Sequence, residues 1–163
     1  SFMPAIGMSI AAATLVGKSL GEKDEDRAYD VGILSTILGI MWAVFIGILF
    51  ILLPEHILGF FTKDKLLIAA ALPVMLYMAI NQLGLNYTIV ISGALRGAGD
   101  TKAVTINSTL RLWLLFVPFS YLFIITLDRG IVGLWYAELL SFIVFANLLF
   151  FRFKKRKWAN LKI

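Results

Sequence analysis

From Val31 to Leu53 the chain runs 23 residues without a formal charge, and Pro54 closes the run. A helix of that length rises about 35 Å, enough to cross the roughly 30 Å hydrocarbon core of a bilayer with some tilt. A second uncharged run, Leu66 to Leu95, covers 30 residues. Two more, Ala103 to Leu127 and Ile131 to Phe151, each carry one formal charge, Arg111 and Glu138 respectively. A shorter apolar run, Phe2 to Gly17, ends at Lys18 and reads as a truncated span. The expected fold is therefore an all-α polytopic membrane protein: four complete transmembrane helices plus a truncated first one. The expected spans lie at about 2–17, 31–53, 66–95, 103–127 and 131–151, with a basic tail over 152–163.

Composition agrees with lipid as the solvent. The chain is 60% hydrophobic and 15% charged, with a mean hydropathy of +0.89, against about 45–50% apolar and about 25% charged residues in ordinary soluble domains. No soluble catalytic domain fits between the spans. With no cysteine, neither disulfides nor thiolate metal sites exist, and nothing follows about the redox compartment. The opening Ser1-Phe2-Met3-Pro4 lacks an initiator methionine and a basic leader, so the chain is expected to begin inside a longer protein.

The net charge of +5 and pI near 9.6 would suggest nucleic acid in a soluble protein. Here they describe topology, and no nucleic-acid partner is expected. One side of the membrane receives eleven cations: Lys18, Lys23, Arg27, Arg96, Lys102, Arg152, Lys154, Lys155, Arg156, Lys157 and Lys162. The other side receives Lys63, Lys65 and Arg129. Because cytoplasmic loops are enriched in Lys and Arg, the C-terminus is expected in the cytoplasm. The Lys154 to Lys157 cluster could also hold anionic lipid at about 1 kcal/mol per cation, but a positive-inside tail is expected without that role.

The connections are short. Leu20 to Asp30 reads as a solvated loop whose acids suit a helix N-terminus. Glu55 to Lys65 joins two antiparallel helices, with Phe60 and Phe61 suited to an interface belt, and Asp128-Arg129-Gly130 makes a tight turn. Enzymatic constellations are absent: the single histidine, His56, lies in an outer loop, and no HExxH, GxSxG or GxxxxGK[ST] pattern occurs. No catalytic or metal-ligating residue is expected.

The most distinctive string is Gly93-Ala94-Leu95-Arg96-Gly97-Ala98-Gly99-Asp100-Thr101-Lys102. Its glycines permit a close turn, Asp100 and Thr101 offer N-cap acceptors to the next helix, and Arg96 can bridge to Asp100 or to exposed carbonyls. Gly93, Arg96, Gly97, Gly99, Asp100 and Thr101 are thus expected to form a cytoplasmic hinge loop. The spacing Gly93-x3-Gly97-x2-Asp100 repeats Gly17-x3-Gly21-x2-Asp24. Helix punctuation and internal duplication are both open explanations, with punctuation preferred.

At this string the chain resembles the multidrug and toxic compound extrusion (MATE) transporters, whose C-terminal half carries a GxLRGxGDT-like loop. Gly17-Lys18-Ser19-Leu20-Gly21 is similar to the family's GxxLG loop, Gly130-x2-Gly133-Leu134-Trp135 to its GxxGxW motif, and Arg152 to Trp158 to its basic tail. The resemblance covers nearly the whole chain. It implies the tail of one helix and the last four of a twelve-helix, two-lobe transporter in the plasma (inner) membrane. It further implies alternating access, export of cationic or amphipathic organic compounds, and exchange for protons or sodium with no other cofactor. The N-terminal lobe of the same protein would then be the partner of this portion. Some family members carry an acid in the helix matching Leu66 to Leu95, and none occurs there in this chain.

Polar residues inside the spans are the best functional candidates, because hydrocarbon makes them expensive. Tyr77, Asn81, Gln82 and Asn86 form a broad polar sector at helical spacing. Two readings are open: they line a substrate or ion cavity, or they bond helices together. Arg111, about 12 Å into its helix with Asn107 one turn earlier, either faces protein or water or snorkels to the interface. Glu138, about 10 Å from the outer end of its span, either titrates with proton flux or pairs structurally, and it need not lie level with Arg111. Pro73 and Pro118 can kink their spans, with gating a minor role. Two rivals remain: a lipid-linked oligosaccharide or polysaccharide flippase of related fold, which needs a more cationic cavity, and a small helical membrane subunit that binds partner helices.

Overall fold

The computed structural model describes residues 2–130 and 132–159; Ile131, expected to open the last span, and the tail cation Lys162 lie outside the described residues. The described residues are helical, without strands. Five helices are long and apolar enough to cross a membrane: α1 (Met3–Gly21), α2 (Glu25–Leu52), α4 (Lys65–Gly97), α5 (Thr101–Thr126) and α6 (Val132–Lys154). A short α3 (Pro54–Gly59) follows α2. The chain is a multi-pass membrane protein.

Every spanning helix is longer than its apolar run, and where a cap is present it, and not the last apolar residue, sets the helix end. α1 continues four residues past Gly17, with Lys18 in its last turn, where a cation suits the carbonyl end. α2 begins inside the charged run expected as a loop. Asp24 accepts the backbone N–H of Arg27 at 2.9 Å, and Glu25 and Asp26 occupy the first turn, where acids favour the helix N-terminus. Asp64 caps α4 in the same way, accepting from Leu66 at 2.9 Å.

α4 is the central helix, packed against α1, α2 and α6, while α5 rests mainly on α6. Small residues set the α1–α4 distance. A Cβ added to Gly93 would meet the backbone and hydroxyl of Ser9, and one added to Gly97 would lie 2.6 Å from the Cα of Ala13. Gly17 in turn lies against the Gly97 carbonyl, and the Ser9 hydroxyl donates to the Ile89 carbonyl at 2.8 Å. Lipid offers no hydrophobic force between helices, so this close backbone contact is what holds them together.

α5 is irregular. π-helical turns at Arg111–Phe116 and Leu122–Thr126 flank Val117–Tyr121, which contains Pro118. Proline has no N–H for the carbonyl four residues back, and its ring crowds that carbonyl; wider turns on either side accommodate the defect. Pro73 lies within the unbroken helical range of α4.

Candidate functional site

The string expected as a hinge loop divides between a helix and a turn. Gly93, Arg96 and Gly97 belong to α4, Thr101 opens α5, and only Ala98, Gly99 and Asp100 lie between the helices. Gly99 takes the left-handed conformation with φ +78°. The N–H groups of Ala98, Gly99 and Asp100 return to the carbonyls of Ala94, Arg96 and Leu95 at 3.0, 3.0 and 2.9 Å. The α1–α2 junction repeats this turn bond for bond. Glu22, Lys23 and Asp24 donate to Lys18, Leu20 and Ser19 at 3.0, 3.0 and 2.9 Å, with Lys23 at φ +60°. The sequence echo is therefore one helix-stop geometry used twice.

Asp100 departs from expectation. Its side chain makes no capping hydrogen bond, and Arg96 is exposed and does not reach it. Arg152 of α6 holds the carboxylate instead, donating from Nε at 2.5 Å and from a terminal nitrogen at 3.1 Å. Asp100 is only 3% exposed, and a bidentate guanidinium satisfies a buried carboxylate better than one backbone N–H. One turn further on, Arg156 donates to Asp26 at 2.6 Å and lies 4.7 Å over the Tyr29 ring. The Asp26 hydrogen bond holds the Arg156 guanidinium above its ordinary range.

The basic tail is thus more than a topology signal. Trp158 is 1% exposed, donates its indole N–H to the Phe153 carbonyl at 2.9 Å, and stacks on the Phe153 ring at 5.4 Å. Tyr29 stacks on Phe153 at 5.9 Å. The tail folds back on the start of α2, and its two arginines clasp Asp26 and Asp100, one at each repeated junction. The aromatic residue inside the basic run was the available signal for this docking.

The polar sector of α4 is buried but divided in its contacts. Asn81, Gln82 and Asn86 are 7%, 6% and 0% exposed. The Asn86 amide donates to the carbonyl and to the side-chain oxygen of Gln82, both at 2.8 Å. The side-chain oxygens of Asn81 and Asn86 are buried without a hydrogen-bond donor among the described residues. Tyr77 does not join them. Its hydroxyl shares a 3.2 Å hydrogen bond with Tyr136, and the two rings meet edge to face at 5.5 Å.

Arg111 turns toward α6 and does not snorkel. It donates to the Ser141 hydroxyl at 3.1 Å, and its guanidinium lies 4.4 Å over the Phe142 ring. Ser141 passes the interaction on by donating to the Glu138 carbonyl at 2.7 Å. Arg111 and Glu138 lie within reach of each other's charge without a direct ion pair. Ser141, three residues beyond Glu138 on α6, is what the long arginine side chain meets. Asn107 adds a bond from its amide to the Phe145 carbonyl at 3.3 Å. The sequence does not mark Ser141, because a lone serine in a span is ordinary. Its spacing of three from Glu138 was the usable cue.

The MatE family model matches residues 1–122. A probable multidrug resistance protein NorM from Mannheimia succiniciproducens is 34% identical over 158 residues, covering 94% of this chain and 34% of that protein. Solved structures described as the outward-facing and inward-facing conformations of a multidrug resistance MATE family transporter of the MOP superfamily share the fold. Their TM-scores are 0.84 and 0.81 at 22% and 23% identity, with 98% and 93% of this chain and 36% of each structure's chain covered. The chain thus spans about a third of the length of these relatives. Five lipid-crossing helices, the repeated junctions and the matched family model together make this chain a member of the MatE family of membrane transporters.

Proposed function

We propose that this chain supplies part of the C-terminal lobe of a secondary antiporter. The antiporter exports organic cations or amphiphiles in exchange for protons or sodium, by alternating access of two helical lobes. Family membership supports transport, and the multidrug resistance names of its relatives support small organic substrates. The observation that carries a cavity role is the pair of buried amide oxygens on Asn81 and Asn86 that meet no donor among the described residues. An unpaired buried acceptor costs about 1–3 kcal/mol, and two on one membrane helix are best explained by a cation or a donor arriving during the cycle. Arg111, Ser141 and Glu138 supply a second polar group in the spans, with Glu138 as the acid able to carry a proton. The eleven-to-three cation count supports a plasma-membrane orientation with the tail in the cytoplasm.

The test uses the full-length protein in sealed vesicles loaded with a fluorescent organic cation, under a pH gradient, a sodium gradient or neither. Uphill movement is expected with one gradient and not without. Asn81→Ala and Asn86→Ala should each lower it, and Glu138→Gln should abolish or shift its pH dependence. Equal movement with and without both gradients refutes antiport. An unchanged pH profile in Glu138→Gln removes that residue from coupling.

A further inference from the structure

We infer that the basic end of the α5–α6 pair is a binding site for an anionic phospholipid: its phosphodiester held by Lys102, Lys155 and Lys157, and an acyl chain lying in the groove below. Two stripes at helical spacing form the walls. On α5 they are Lys102, Ile106 and Leu110; on α6 they are Leu148 and Phe151, continued by Lys155 in the turn after it, and together they border a groove of about 450 Å³. Ile106 is 59% and Leu148 51% exposed, so the groove is open along its length. Below its cationic end the lining is apolar apart from Asn107, whose amide is taken up by the Phe145 carbonyl, the profile of a lipid tail under its headgroup.

Charge decides the occupant. Arg152 also borders the groove, but Asp100 neutralises it at 2.5 Å. The three lysines form no ion pair among the described residues; the ion pairs there belong to Lys18, Arg27, Arg152 and Arg156. Among the described residues no carboxylate lines the groove. Three positive charges without an ion-pair partner among the described residues, above an apolar channel, fit a lipid with a net negative headgroup and not a zwitterionic one. The docked tail makes the site possible. Trp158 and Arg156 anchor the turn after α6, and so hold Lys155 and Lys157 beside Lys102 instead of leaving them on a free terminus.

The test is native mass spectrometry of the full-length protein titrated with dioleoyl phosphatidylglycerol or dioleoyl phosphatidylcholine. Phosphatidylglycerol should bind more tightly than phosphatidylcholine. Each exposed lysine adds about five-fold, so Lys102→Gln/Lys155→Gln/Lys157→Gln should weaken phosphatidylglycerol on the order of 100-fold and leave phosphatidylcholine unchanged. Lys63→Gln/Lys65→Gln at the opposite end should have no effect. Because all the substituted lysines are exposed, retained helicity by circular dichroism certifies the fold, and Leu148→Trp provides a second arm by filling the groove while keeping every charge. The proposal is overturned if phosphatidylglycerol binding survives the triple substitution, if Lys63→Gln/Lys65→Gln lowers it equally, or if Leu148→Trp leaves it intact. Equal competition by glycerol phosphate without acyl chains also overturns it, by assigning the lysines to a free anion.

Discussion

Replacing Gly97 by alanine tests the contact that sets the spacing of the central helices. The new Cβ would lie 2.6 Å from the Cα of Ala13 and 2.8 Å from its carbonyl carbon. Carbon atoms pack at about 3.5–4.0 Å, so α1 and α4 must separate by about 1 Å. The obstructing atoms are backbone and cannot rotate aside. The same movement stretches the 2.8 Å bond from Ser9 to the Ile89 carbonyl to about 3.8 Å, beyond hydrogen-bond range. Overpacking costs about 1–3 kcal/mol and the interhelical bond about 0.6 kcal/mol, while alanine returns about 0.5–1 kcal/mol of backbone entropy. The net expectation is a loss of about 1–3 kcal/mol. Gly21→Ala is the internal control: nothing lies within 4 Å of the added Cβ, so only the gain of about 0.4–1 kcal/mol remains. Equilibrium unfolding of the full-length protein in mixed micelles, followed by helicity, should place the two variants on opposite sides of the parent. If Gly97→Ala proves as stable as Gly21→Ala, the close approach of α1 and α4 is not what holds this pair.

Two further outcomes follow from the tail. Arg152→Gln strands the Asp100 carboxylate, which is 3% exposed; breaking a buried pair costs about 3–5 kcal/mol, and because the arginine itself is 39% exposed the expectation falls to about 2 kcal/mol. Asp100→Asn should cost less, and the double variant should resemble Asp100→Asn alone, whereas additive effects in the same unfolding assay would show the two residues uncoupled. With Trp42, Trp113, Trp135 and any tryptophan of the full-length protein outside this chain changed to Phe, Trp158 should resist acrylamide quenching, and Arg156→Gln should expose it. Ready quenching before that change would mean the tail is undocked.

The class of the protein and the number and order of its spans were legible because each depends on local properties. An uncharged run of sufficient length crosses lipid whatever it packs against, whereas the start of α2 lies ahead of its run, inside the charged segment expected as a loop, because Asp24 caps it there. The tripled glycines of 93–99 were legible as a special site, but not their division of labour. Only the fold separates Gly99, which supplies a left-handed turn, from Gly93 and Gly97, which let a second backbone approach.

The partner of Asp100 shows the limit most clearly. Four residues away, Arg96 is the natural choice along the chain, and the carboxylate pairs instead with Arg152, 52 positions later. The same holds for Arg111, whose direction depends on Ser141 and Phe142 facing it from another helix, and for Trp158, buried only because the tail returns to Tyr29 and Phe153. Length, charge and capping are properties of one segment and can be read from it. Which long side chains meet depends on how helices rotate and cross, and that is determined jointly by residues far apart in the sequence, here by the small ones between α1 and α4 above all.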